Sequence, residues 1–103
     1  MSRPFSYNDE NFTVIGNLLF VHIPDSKAHK AGEAIIEIPP AIISRMITYG
    51  NVVVESAKAY YGGGYIGLEV IKVGNKYYFA YTKDVYAVDS VRYYYCNYFL
   101  KDI

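Results

Sequence analysis

The sequence predicts an α+β domain, mostly antiparallel β, with about five to seven strands in a roll or partly open barrel and one short helix at about 40–49. Three observations point there. Two Gly-Asn dipeptides, Gly16-Asn17 and Gly74-Asn75, each separate runs of strand-forming residues. The last segment, Val91 to Leu100, alternates with bulk on both faces, and Pro39-Pro40 precedes apolar residues at helical spacing.

Residues 1–10 are polar and lack an apolar stretch, so they read as a flexible N-terminal segment rather than a signal peptide. Phe12 to Ile15 and Leu18 to Ile23 flank Gly16-Asn17 as a hairpin. Glycine at the first turn position supplies the positive φ of a type II′ turn. A two-residue turn fixes register, pairing Val14 with Leu19 and Phe12 with Val21 on an apolar face. The other face pairs Thr13 with Phe20 and Asn11 with His22, and is mixed in character.

Pro24 to Gly32 is polar and punctuated, hence an exposed loop. Glu33 to Ile38 alternates loosely as a strand, which Pro39-Pro40 stops because proline donates nothing to a ladder. The prolines then open the helix, in which Ile42, Ile43, Met46, Ile47 and Tyr49 share a face and Gly50 terminates it. From Asn51 to about Tyr61 the β-branched run Val52-Val53-Val54 restarts strand, and Gly62-Gly63-Gly64 connects onward.

Around Gly74-Asn75 the count pairs Val70 with Phe79 and Leu68 with Tyr81 on one face. On the other it pairs Ile71 with Tyr78, Glu69 with Ala80 and Gly67 with Thr82. Lys83 to Ser90 reads as a turn. In the final strand Tyr94, Cys96, Tyr98 and Leu100 face one way and Val91, Tyr93, Tyr95, Asn97 and Phe99 the other. Such a strand is either central in a layered fold or completed by another chain.

The 103 residues make one domain, 1–103, with 52% apolar or aromatic residues, enough for a real core. The formal net charge is zero, so no global field selects nucleic acid or an anionic membrane, and copies meet little charge repulsion. The one cysteine, Cys96, cannot form an internal disulfide, which fits a reducing compartment. No apolar run approaches the roughly 20 residues that span a bilayer. The expectation is a cytoplasmic protein without membrane contact.

Several chemistries are suggested by letters and rejected on physics. Gly62, Gly64 and Gly67 match G-x-G-x-x-G, yet a strand follows where the dinucleotide motif needs a helix N-terminus. His22, Asp25 and His29 are close in sequence, but a strand end and an unconstrained loop make no metal site. Cys96 alternates into an inert buried position. Asp84 and Asp89 bracket a turn, where aspartate accepts from nearby amides, and with Glu33 and Glu37 they exhaust the carboxylate pairs considered. No catalytic residue, metal or cofactor is assigned, and an enzyme is not expected.

Thirteen tyrosines remain to be explained. Register and alternation send Tyr81, Tyr77, Tyr94 and Tyr98 inward. Tyr60, Tyr61, Tyr65, Tyr78, Tyr93 and Tyr95 form the expected partner-contact set, since tyrosine offers large rigid area with few rotors to freeze. Cross-strand tyrosine pairs also stabilise a small sheet with no partner at all. The leading expectation is a non-enzymatic binding or assembly module, acting as a homo-oligomer or on another protein. A compact chain without motifs suits an accessory protein of a phage or mobile element. The alternative is a ligand-binding module that stacks sugars or single-stranded nucleic acid on its aromatic side chains. Nucleic acid is the weaker expectation, because acidic residues sit among Lys72, Lys76, Lys83 and Arg92.

Overall fold

Gly16 and Gly74 carry φ of 64° and 62°, while the asparagine after each keeps a negative φ. That is the type II′ pattern and excludes type I′, which needs two positive values. The computed structural model describes residues 5–46, 48–49, 52–53, 57–61 and 64–101, with side chains for 5–46 and 64–101. The elements are β1 Tyr7–Asn8, β2 Phe12–Ile15, β3 Leu18–Asp25, β4 Ala34–Glu37, α1 Pro40–Ile43, β5 Thr48–Tyr49, β6 Val52–Val53, β7 Ala57–Tyr61, β8 Gly64–Val73, β9 Lys76–Tyr81 and β10 Arg92–Phe99. All strand pairings are antiparallel, in an eight-stranded sheet of order β1-β2-β3-β10-β7-β8-β9-β4 and a two-stranded sheet β5-β6.

Both hairpins keep the register that their turns dictate. Val14 faces Leu19 and Phe12 faces Val21, while Val70 faces Phe79 and Leu68 faces Tyr81. Thr82 N donates to Gly67 O at 2.9 Å, and a Cβ built on Gly67 would collide with Thr82 Oγ1 and Cγ2, so this pair of positions accepts only one side chain. β10 is central: it pairs residue for residue with β3, from Arg92 opposite Asp25 to Phe99 opposite Leu18, and meets β7 where Tyr95 faces Tyr60.

The sheet curls strongly without closing, since β1 and β4 form its two edges. Phe12 on β2 and Phe79 on β9 are five strand steps apart, which in a flat sheet would separate them by roughly 24 Å. Their ring centroids are 6.2 Å apart. Tyr81 and Tyr94, on β9 and β10, likewise meet across the curl, their rings tilted by 48° with centroids 5.0 Å apart. The enclosed core unites Phe12, Val14, Leu19, Val21, Ile23, Ile66, Leu68, Phe79, Tyr81, Tyr94, Cys96 and Tyr98 from the strands with Ile42 and Met46 from the helical segment.

Three expectations need correction. The helix runs only from Pro40 to Ile43, with no side-chain cap at Pro39, and Thr48–Tyr49 is strand rather than helix end. Ile47 and Gly50, expected in its last turn and as its terminator, lie outside the described residues. Tyr49 pairs with Val52 across two positions whose sequence is Gly-Asn, the dipeptide that joins β2 to β3 and β8 to β9. Second, β3 continues through Pro24 and Asp25, and the loop after it is not wholly exposed: His29 is bridged to Val85 by two backbone hydrogen bonds and is half-buried. Third, Asp84 does not serve its own turn; its Oδ1 accepts from the distant Ala31 N at 2.9 Å. Within the N-terminal segment, Tyr7–Asn8 pair with Val14 and Thr13. Among the described residues no helix is long and apolar enough to cross a membrane.

Candidate functional site

Alternation along β2, β3 and β10 splits their side chains between a closed inner face and an open outer one. Outward stand Thr13 and Ile15 on β2, Leu18, Phe20, His22 and Pro24 on β3, and Tyr93, Tyr95, Asn97 and Phe99 on β10. The register aligns them in rows. Ile15, Leu18 and Phe99 form one row, Thr13, Phe20 and Asn97 the next, and His22 and Tyr95 the third. Ile15 is 66% exposed, Phe99 68%, Tyr95 51%, Tyr93 50% and Phe20 37%. None of the chain's ten lysines and arginines or ten aspartates and glutamates occupies an outward position on these strands. An antiparallel sheet face that meets only water is normally polar and charged. This one carries polar groups only on Thr13, His22, Asn97 and the tyrosines, and no Lys, Arg, Asp or Glu.

His22 lies against both tyrosines: its ring stacks on Tyr95 at 4.9 Å and 8°, and on Tyr93 at 5.7 Å and 14°. Stacked pairs of this kind contribute about 0.5–1.5 kcal/mol beyond area burial. Tyr93 and Tyr95 therefore act partly as a cross-strand staple, and the histidine occupies ring face that a sugar or base would need. The side of the patch without ring stacking is the apolar row, Ile15, Leu18 and Phe99, with Phe20 beside it.

The expected contact tyrosines do not all meet. Tyr65 is exposed, and in register it follows Tyr60, which faces Tyr95, so the row continues from β3 through β10 and β7 to β8. The side chains of Tyr60 and Tyr61 lie outside the described residues. Tyr78 is half-buried and faces Ile71 and Glu37. Ile71 is six residues along β8 from Tyr65, roughly 20 Å of strand, which removes Tyr78 from the patch. His22, Phe20, Phe99 and Ile15 join it instead; the turn count put Phe20 and His22 on the mixed face and alternation put Phe99 with Tyr95, whereas the His22 stack requires the β3–β10 pairing.

A polar cluster sits on the other side of β3. Asp25 points inward with Ile23, whereas His22 points outward, so strand periodicity separates these two candidates. Tyr81 Oη donates to Asp25 Oδ2 at 3.0 Å, Lys27 N donates to Oδ1 at 2.9 Å, and His29 Nε2 lies 2.7 Å from Oδ2. The His29 contact is close but is not a well-directed hydrogen bond, and both ring nitrogens of His29 are buried without a hydrogen-bond partner. Glu33 Oε1 stands 3.6 Å from His29 Nδ1. Burial first, then the Asp25 carboxylate, raises the Tyr81 phenol above its ordinary value. Clefts of about 300 and 360 Å³ open on either side of His29. Hydroxyl, carboxylate and imidazole here tie β3, β9 and the 26–33 loop together.

Cys96 is 8% exposed on the inner face of β10, and burial pushes its thiol up to about 12. Thiolate is the reactive form. Iodoacetamide near neutral pH is accordingly expected to spare Cys96 in the native protein and to label it fully in denaturant. Equal labelling rates in the two states would mean that β10 opens freely. Among the described residues no three His, Cys, Asp or Glu side chains group so as to hold a metal ion. No family model matches the chain, and neither does any curated protein or any solved structure.

Proposed function

We propose that this chain is a small non-enzymatic binding or assembly module whose contact surface is the outer face of β2, β3 and β10, continued by Tyr65. The observation that carries this reading is the absence of charge from that face together with its exposed Ile15, Phe20, Tyr93, Tyr95 and Phe99. Exposed apolar area of this kind, with aromatic anchors, is the composition of an interface core. The accessory role in a phage or mobile element belongs to the same proposal. Stacking of sugars or bases is less favoured, because His22 already occupies ring face on Tyr93 and Tyr95, and these strands hold no outward Lys or Arg to follow a phosphate backbone.

The double variant Tyr93→Ser/Tyr95→Ser tests the reading. Loss of the His22 stacks is expected to lower stability by about 1–3 kcal/mol, leaving a cooperative melt, while association seen for the parent in sedimentation or on an affinity column disappears. A variant that no longer folds at all would assign the tyrosines to the sheet and not to a contact.

A further inference from the structure

Resting on that reading of the face, we infer that its partner is a second copy of this chain, the two sheets packed face to face. Charge argues for this occupant. A partner chosen by electrostatic complementarity needs charges to answer, and the outer positions of β2, β3 and β10 supply none. A face without Lys, Arg, Asp or Glu presents nothing that its own copy repels, and a chain of zero formal net charge lets copies approach without repulsion near neutral pH.

The edges argue that association uses the face rather than strand addition. β1 is only two residues long. β4 carries a register shift between Ala34 and Ile36, an ion pair from Glu37 to Lys76 at 3.5 Å, and Pro39-Pro40 after one further residue, Ile38. Short length, irregularity, charge and proline are the devices that keep a sheet edge from pairing with another chain.

Geometry then selects the arrangement. Aligned sheets pack about 10 Å apart at a small angle. A two-fold axis parallel to the strands and over β3 sets this row over its own counterpart, so that Leu18 meets Leu18 and Ile15 meets Phe99 of the other copy. Such an isologous contact closes as a dimer and cannot grow.

Sedimentation equilibrium of the whole chain over about a hundredfold range of concentration tests this. The expected result is a monomer–dimer equilibrium. Phe99→Lys, which sets an ammonium group against Ile15 of the other copy, is expected to raise the dissociation constant about 100-fold or more. Ile15→Lys, in the same row, should act alike, and both variants should melt within a few degrees of the dilute parent. Strict monomer behaviour at every concentration overturns the second copy and leaves the contact surface to a different partner. A dimer that persists in both variants overturns it also. Loss of the folded state in both variants overturns the contact reading itself, because these side chains would then belong to the fold.

Discussion

Phe79→Ala is expected to destabilise the protein by roughly 3–5 kcal/mol, the range for truncating a fully buried phenylalanine. Phe79 is 0% exposed on β9 and reaches Phe12, which belongs to the opposite part of the sheet. Removing the ring opens a cavity where the two ends of the curled sheet meet, and backbone hydrogen bonds along each strand cannot close it. Typical domain stability is about 5–15 kcal/mol, and a domain near 100 residues loses about 4–8 °C of melting temperature per kcal/mol. The variant should therefore be marginally folded at room temperature. Phe99→Ala removes the same ring from the outer face of β10 and, measured on the monomer, should change stability by no more than about 0.5 kcal/mol. Urea unfolding of the two variants side by side decides it. A cost below about 1.5 kcal/mol for Phe79→Ala would mean that the curl is held elsewhere.

The place of Phe79 was legible in the sequence by counting outward from a turn, and alternation grouped Phe99 with Tyr93 and Tyr95, but bulk on both faces of the last strand left open which of its faces is exposed. Gly16-Asn17 and Gly74-Asn75 leave only two residues between strands, which determines every partner in each hairpin and hence which side chains share the core. The same logic placed Tyr81, Tyr94, Cys96 and Tyr98 inside. Information that crosses the chain was not available. Nothing local announces that β10 inserts between β3 and β7, and the His22 stack on Tyr93 and Tyr95 depends on that insertion. Nor does anything local join Asp25 to Tyr81, 56 residues away. The helix was overextended for a different reason: apolar residues at 42, 43, 46 and 47 satisfy a helical period, but Thr48–Tyr49 pairs with Val52–Val53. Reading Gly50-Asn51 as the third Gly-Asn dipeptide, alongside the other two, would have shortened it.

Asp25→Ala should be the most damaging polar substitution among the described residues, at about 1–3 kcal/mol, because it removes the charged acceptor of a buried donor. Tyr81 is 0% exposed and Asp25 Oδ2 accepts its hydroxyl; without the carboxylate that hydroxyl keeps only its contact with Tyr94. Tyr81→Phe removes the donor instead and should cost about 0.5–1.5 kcal/mol. In the double variant both partners are gone, so its loss should be smaller than the sum of the two, and the cycle measures their coupling. The pH dependence provides a second reading. Tyr81 is raised in the folded protein, by burial most and by Asp25 next, whereas in the unfolded chain it titrates near its ordinary value of about 10. The native state thus holds this proton more tightly, so its contribution to stability is complete below about pH 10 and declines as pH rises above it. Tyr81→Phe should flatten that alkaline decline. Asp25→Ala should flatten it only in part, since the larger cause, burial, remains. Urea midpoints at about pH 8 and about pH 11 for the parent and the two single variants resolve these slopes. Equal declines in the parent and Tyr81→Phe would show that the buried phenol does not couple protonation to folding.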